Sequence, residues 1–555
     1  MLIVLFSWAI MGVSALLAGY LLINFLYPSG RENLKTVDVY MVSGLLFITV
    51  YAQFFSLFYK VGALACTTLF CLEIIVLAVY VVLHRDKVVS TCKSIHVSFF
   101  PVILFILLTL ITLRYAVQTT WHYDTGLYHA QAIQWIEKYG VVPGLGNLHE
   151  RFAYNSSFMC LQALYSLKWF FERGDSLHTL NGFLSLIGLS YGLISMDIWK
   201  TKKWSGADTL RCVLIWCVVY NRWELSSCGT DMWALMLVIY ICVKWCECLE
   251  DGEKALDLRC YLCVVSVYAV TVKLSTITSL LLVIWTVIYL LKNRDWGRIW
   301  KYTAAGVLTI APFLIRNVLI SGYLIYPVSA LDFFPVDWKM DKQILEQDKA
   351  MIILYGRQGS HEMEALNLPV WEWLPTWFTA MSVAEKILII MGACAFLAGL
   401  ISMVNQIRRK KDARALLLVT CMAGLIYWIL TAPLMRYGFA YLLLMLAVVT
   451  YDVKGQMGRK LCRCIWIASV VAALFLYARD GLSMGIEKKW IWPDGYANFA
   501  GEEADCDGVS FYLPVEDDRI GYYYFPSTPY KGRLNHMELR GEDISEGFRP
   551  RADAQ

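Results

Sequence analysis

Apolar residues along this chain fall into blocks of roughly 17–22 positions with almost no charge. That length lets a helix rising about 1.5 Å per residue cross about 30 Å of hydrocarbon. The blocks lie near 2–26, 38–59, 62–83 and 97–116, then near 178–198, 208–221, 228–247, 259–273, 275–291 and 302–320. The last four lie near 384–405, 414–431, 435–452 and 461–478. Backbone polar groups in lipid must be satisfied within the segment, so continuous apolar runs of this length become helices. The pattern predicts an all-α polytopic membrane protein of about fourteen transmembrane helices. Three polar stretches interrupt it, at about 118–175, about 321–381 and 479–555. In the last, aromatic and polar residues alternate around Tyr522, Tyr523, Tyr524 and Phe525 before Pro526 and Pro529. This predicts a small α+β module, with Trp490 and Trp492 at the membrane boundary.

Basic residues concentrate in the short loops: Arg31/Lys35, Arg85/Lys87/Lys93, Lys200/Lys202/Lys203, Lys254/Arg259, Lys292/Arg294/Arg298/Lys301, Arg408/Arg409/Lys410/Lys411/Arg414 and Lys454/Arg459/Lys460/Arg463. Such loops face the cytoplasm. Two blocks separate most consecutive clusters, as alternate crossing requires, which puts the N-terminus and all three polar stretches on the outer side. Composition agrees: 58% of residues are hydrophobic and 17% charged, against about 45–50% and about 25% for soluble domains. The net charge of +4 points to no nucleic-acid partner. Most of the 17 cysteines sit in apolar runs, as Cys242, Cys246 and Cys248 do, and no pair of CxxC motifs has zinc spacing. They read as small hydrophobes. Met1 to Tyr27 has no basic leader and reads as a retained first span.

The residues capable of chemistry gather on the outer side. Asp124, in Trp121-His122-Tyr123-Asp124-Thr125-Gly126-Leu127-Tyr128-His129, follows the end of a block by about eight residues. Flanked by His122 and His129, its carboxylate can serve as a general base or bind a cation; the same residues also fit an interfacial loop. Ala130 to Tyr139 has the spacing of a helix lying on the surface. His149 and Arg151 suit phosphate or a solvated loop equally, and the sequon Asn155-Ser156-Ser157 reads as chance. Asp231 begins a block after Ser226-Ser227-Cys228-Gly229-Thr230, and Lys273 sits at a turn between two others. Arg316-Asn317 closes a block and Arg436 follows Thr431-Ala432-Pro433. Each charge alone can simply snorkel to the headgroups. Together, on one side, they suggest a cavity for a phosphorylated lipid.

These residues resemble the GT-C-type membrane glycosyltransferases, which take sugar from a polyprenyl-phosphate carrier on the outer membrane face. The resemblance rests on WHYDTGLYH, SSCGTD, APFLIRNVLISGYLIYP and TAPLMRYGFAYLLL, covering roughly 97–450. The segments GLGNLHERFAYNSS, FPSTPY and RGEDISEGFRP further resemble an uncharacterised bacterial multi-span branch likened to these enzymes. Two departures stand out: about three extra spans precede the acidic loop, and His122-Tyr123-Asp124 lacks the second carboxylate of a DxD pair. The resemblance implies N-terminal helices over 1–96, a GT-C-like core over 97–478 and the outer module over 479–555. It implies sugar transfer from a polyprenyl-phosphate-linked donor to a glycan or lipid acceptor, in assembly of cell-surface polysaccharide or glycoconjugate at a bacterial plasma membrane. Asp124 would take the acceptor proton, Arg316 and Arg436 would hold the donor phosphate, and Lys273 and Arg151 would assist. Asp231, His122, His149 and Asn317 would orient substrates. No cofactor is implied, and no metal is needed where cations stabilise the leaving phosphate. A transporter, flippase or polymerase for lipid-linked saccharides is the alternative. All of this requires Asp124 to lie near Arg316 and Arg436. A separation above about 15 Å from both, well beyond a Debye length of about 8 Å, would end it.

Overall fold

A computed structural model describes residues 1–27, 32–86, 89, 99–171, 174–251, 255–357, 363–410, 412–451, 453 and 455–551. Of the basic residues used to orient the chain, Arg31, Lys87, Lys93, Lys254, Lys411 and Lys454 lie outside the described residues.

The chain is predominantly helical, and each of the fourteen apolar blocks coincides with a helix. Among the described residues eleven helices are long and apolar enough to cross a membrane, from Leu2–Leu26 through Gln456–Ser483. Gly206–Tyr220, Leu256–Val272 and Met435–Tyr451 are shorter, at 15, 17 and 17 residues. Local chemistry sets several boundaries. Ser205 accepts from the Asp208 amide, and Ser382 accepts from the Glu385 amide while the acid reaches back, so both helices begin in capping boxes. Gly322, at φ 82°, ends Trp296–Ser321 in the left-handed conformation that glycine adopts without strain.

Small residues let the first two helices touch. A Cβ at Gly44 would collide with the Ala15 carbonyl, and one at Gly19 with that of Tyr40. Such contact lets apolar helices associate in lipid, where burial from water contributes nothing.

The ends of the helices sort into two groups. The Met1 ammonium donates to the Ile491 carbonyl at 3.2 Å, and Arg114 Nε donates to the Gly481 carbonyl at 2.7 Å. The N-terminus and the last turns of Phe99–Ala116 and Gln456–Ser483 therefore meet at one end. The two long loops and the tail cover that same end. At the opposite end Arg211 pairs with Asp208 at 2.8 Å and Asp197 at 3.3 Å, and Lys244 pairs with Asp38 and Glu247 at 2.9 Å each.

Loops and tail share one hydrophobic core. It joins Trp135, Leu145 and Phe152 of the first loop, Tyr323 and Leu345 of the second, and Phe511, Leu534 and Phe548 of the tail. The tail has two antiparallel pairs, β1 (Gly501–Cys506) with β2 (Val509–Pro514) and β3 (Met537–Leu539) with β4 (Phe548–Pro550). Tyr522 to Phe525 lie between the pairs in no strand; Gln131 binds the Gly521 and Tyr524 carbonyls there, and Gln134 that of Tyr522. The Ala130–Tyr139 helix, expected on a surface, is buried instead, because the tail lies against its polar face. Cysteine placement follows the apolar reading, since most of the described thiols are buried and none of the described ones forms a disulfide.

Replacing Gly44 by Ala should force the first two helices apart and cost about 1–3 kcal/mol, the usual penalty of overpacking. Thermal unfolding of the purified protein checks this as a lowered midpoint.

Candidate functional site

At the loop-bearing end the structure encloses a cavity of about 780 Å³. Its walls come from the first long loop, the Val272–Ser275 turn, the end of Trp296–Ser321, the second long loop and the start of Met435–Tyr451. Asp124, Arg151, Lys273, Arg316 and Arg436 all line it. The charges that sequence placed at scattered helix ends thus converge on one space.

Asp124 precedes a single wide turn, Thr125–His129, in which the Ala130 amide donates to the Thr125 carbonyl five residues back. Wide turns of this kind are rare and recur at functional sites. The turn is held from the tail, since Ile520 and Gly521 amides both donate to the Gly126 carbonyl. Arg436 Nη2 donates to Asp124 Oδ2 at 3.1 Å, and Arg151 Nη1 lies 3.7 Å from Oδ1. Burial by itself would raise the Asp124 carboxyl, but the Arg436 guanidinium together with His129 and His122 outweighs it and holds it below the ordinary carboxylate value.

Arg436 is a shared cation. Its Nε lies 3.7 Å from Asp231 Oδ2, and its Nη2 also donates to the Tyr437 hydroxyl at 2.7 Å. Asp231 forms a second ion pair with Lys273, whose ammonium sits 4.0 Å from the centre of the Tyr437 ring. Asp231 is the first residue of its helix, where its charge also complements the helix N-terminus. It stands behind Lys273 and Arg436, aligning them. His122 does similar work: Nε2 lies 3.5 Å from Arg436 Nη1 and 3.8 Å from Glu224 Oε1.

Arg316 is built differently. It is 3% exposed, its Nε donates to Asn155 Oδ1 at 3.0 Å and its Nη1 to Ser56 Oγ at 2.6 Å. No carboxylate lies within ion-pair distance of it among the described residues. Asn155 makes this possible by taking a left-handed conformation, φ 42°, which asparagine tolerates better than most residues. Its amide donates to the Phe313 carbonyl and to Asn317 Oδ1, both at 3.0 Å, and Asn317 in turn donates to the Leu324 carbonyl. Asn317 is thus a support for Arg316 through Asn155, and the sequon asparagine is occupied inside the fold.

His149 falls outside the cavity. It is buried against Tyr128 and Phe152, with Nδ1 3.4 Å from Glu150, which also pairs with Arg533 of the tail at 2.8 Å. It braces Glu150, and Glu150 holds the tail. Sequence reasoning missed Glu224, which lies in the short Arg222–Glu224 turn beside His122, and Asp348, in the second long loop. Glu224 precedes SSCGTD closely enough to have been noticed. Asp348 sits in an ordinary amphipathic helix and carries no local signal. Among the described residues no group of three or more His, Cys, Asp or Glu is placed to hold a metal ion.

His129 stacks on His122 with ring centres 5.8 Å apart, and burial pushes its imidazole down to about 3 despite the nearby Asp124. Its ring should therefore stay neutral from about pH 8 to about pH 5, where a free histidine of pKa near 6.5 would gain its proton. Nitrogen chemical shifts of labelled histidine check this; a titration midpoint near 6.5 would contradict it.

No curated protein and no solved structure matches the chain. A family model described as "Domain of unknown function (DUF8201)" matches residues 1–443, most of the chain, and the protein belongs to that family.

Proposed function

We propose that this protein is a membrane glycosyltransferase of GT-C-like architecture, taking sugar from a polyprenyl-phosphate-linked donor at the outer face of a bacterial plasma membrane. The observation that carries the reading is the buried Arg316, a cavity-lining cation without an acidic partner among the described residues. A buried charge left unpaired costs several kcal/mol, and an anionic group of the ligand removes that cost. The ionised Asp124, which lines the same cavity, supplies the base, and the basic short loops favour the outer orientation.

In this reading the acceptor hydroxyl oxygen attacks the anomeric carbon and the bond from that carbon to the phosphate oxygen breaks. The bonding pair leaves with the phosphate, and the hydroxyl proton passes to Asp124. Arg316 and Arg436 stabilise the charge that gathers on the phosphate, as fixed cations in a dry site do well. A phosphate that engages Arg436 also competes for the guanidinium that holds Asp124, freeing a carboxylate oxygen when substrate arrives. Lys273 and Arg151 add positive potential, and Asp231 and His122 keep Arg436 in place. Sugar, glycan or lipid acceptor and surrounding lipid are the partners.

Incubating the purified protein with labelled polyprenyl-phosphate sugars tests the reading. The wild type should release or transfer the sugar. Asp124→Asn should cut turnover by about 10²–10⁴-fold, the usual contribution of a positioned base, with an unchanged unfolding midpoint. Full activity in that variant removes Asp124 from the mechanism. Movement of intact lipid-linked sugar across vesicles, without cleavage, would favour a flippase. Arg316→Gln should weaken donor binding by about tenfold or more, the loss of one charge-assisted contact.

A further inference from the structure

The second long loop contributes a wall of the cavity that donor chemistry leaves unused. Asp348, in the helix Lys342–Gly356, lines the cavity and is 8% exposed. Its Oδ1 accepts from the Tyr154 hydroxyl and its Oδ2 from the Tyr326 hydroxyl, both at 2.9 Å. No cation lies within ion-pair distance of it among the described residues. We propose that Asp348, Tyr154 and Tyr326 form a carbohydrate-binding subsite that receives the acceptor, its carboxylate taking neighbouring sugar hydroxyls. Naming that sugar the acceptor rests on the transferase reading; the binding of a sugar does not.

Three features lead there. A carboxylate offers about four lone-pair positions, and the two phenols fill two. A buried carboxylate held only by neutral donors has capacity for further hydroxyl donors and gains from them. Aromatic rings flank it: Tyr154 lies 5.7 Å from Tyr326 and 5.8 Å from Tyr128, centre to centre, and Tyr355 and Tyr530 line the same cavity. Hydroxyl acceptors beside ring faces suit a molecule whose edges are hydroxyls and whose faces are C–H. The third is charge. Burial, and after it Glu150, push the Asp348 carboxyl up; the site already disfavours negative charge, so the donor's phosphate belongs with Arg316 and Arg436. Arg151 stands between the two walls, 3.7 Å from Asp124 and within the field of Asp348, where it opposes an ammonium ligand. A neutral polyol is the ligand that none of these charges excludes. A site built to bind hydroxyls also discriminates strongly against analogues that lack them, so this wall would set acceptor specificity.

The test is binding to the full-length protein in lipid nanodiscs, using a panel of methyl glycosides followed by saturation-transfer NMR. At least one glycoside should bind the wild type. Asp348→Asn should weaken it about tenfold and Tyr326→Phe by less, while Asp348→Glu recovers part of the affinity and all variants keep the wild-type unfolding midpoint. The proposal is overturned if no glycoside binds, if Asp348→Asn binds as the wild type does, or if methylamine-type cations bind in place of glycosides. Glycoside binding without turnover of any lipid-linked donor would keep the subsite and sink the transferase reading. Turnover with an acceptor KM unaltered by Asp348→Asn would do the reverse.

Discussion

The Arg436 guanidinium is shared between two carboxylates that arrive from distant parts of the chain. Asp124 comes from the first long loop and Asp231 from the start of a helix, and neither reaches its position without the other elements packing first. The two acids can be buried side by side only with the cation between them, because Arg436 offsets part of the desolvation cost of each and their mutual repulsion. Lys273, Arg151 and His122 extend the arrangement. The cavity keeps its shape because these charges hold one another, and what remains available for a ligand is decided by which of them is left over.

That remainder separates the two ends of the bundle. At the end opposite the cavity, Arg211 and Lys244 are met by Asp208, Asp197, Asp38 and Glu247, and the network closes on itself. At the cavity end Arg316 has amide and hydroxyl partners only. The first pattern is that of a structural anchor. The second is that of a site, because a guanidinium without an anion is a standing attraction for one. The asymmetry follows from geometry: Asn155 fills with an amide the place where a carboxylate would have cancelled the charge.

The hydrophilic cover is part of the site rather than an appendage. Tail residues join the core under both long loops, the Gly126 carbonyl receives two tail amides, and Phe548 donates its amide to the Pro143 carbonyl. Gly144 then explains itself: at φ 66° it makes a turn, and a Cβ there would collide with the Phe548 carbonyl. The loops that carry Asp124 and Asp348 are therefore held between the bundle below and the tail above, and short-range precision in the cavity depends on both.

The helices were legible because hydrocarbon imposes a length and an all-apolar composition on every crossing segment, and that requirement is written locally. The grouping of helix ends was legible too, since alternate crossing leaves the basic loops no other arrangement. Asp124, Arg316 and Arg436 could be suspected singly as charges beside apolar runs. Three things were not legible: that Arg436 is shared by two acids, that Asn155 turns left-handed to hold Arg316, and that Asp348 faces the same space. Nor could the sequence show that Glu150, beside His149, holds the tail or that Ala130–Tyr139 is covered. Each of these depends on contacts between residues more than a hundred positions apart. Hydropathy records what a residue needs from its solvent, so the sequence by itself determined the apolar helices. Which charges meet, and which is left without a partner, only the packing of those helices and loops could decide.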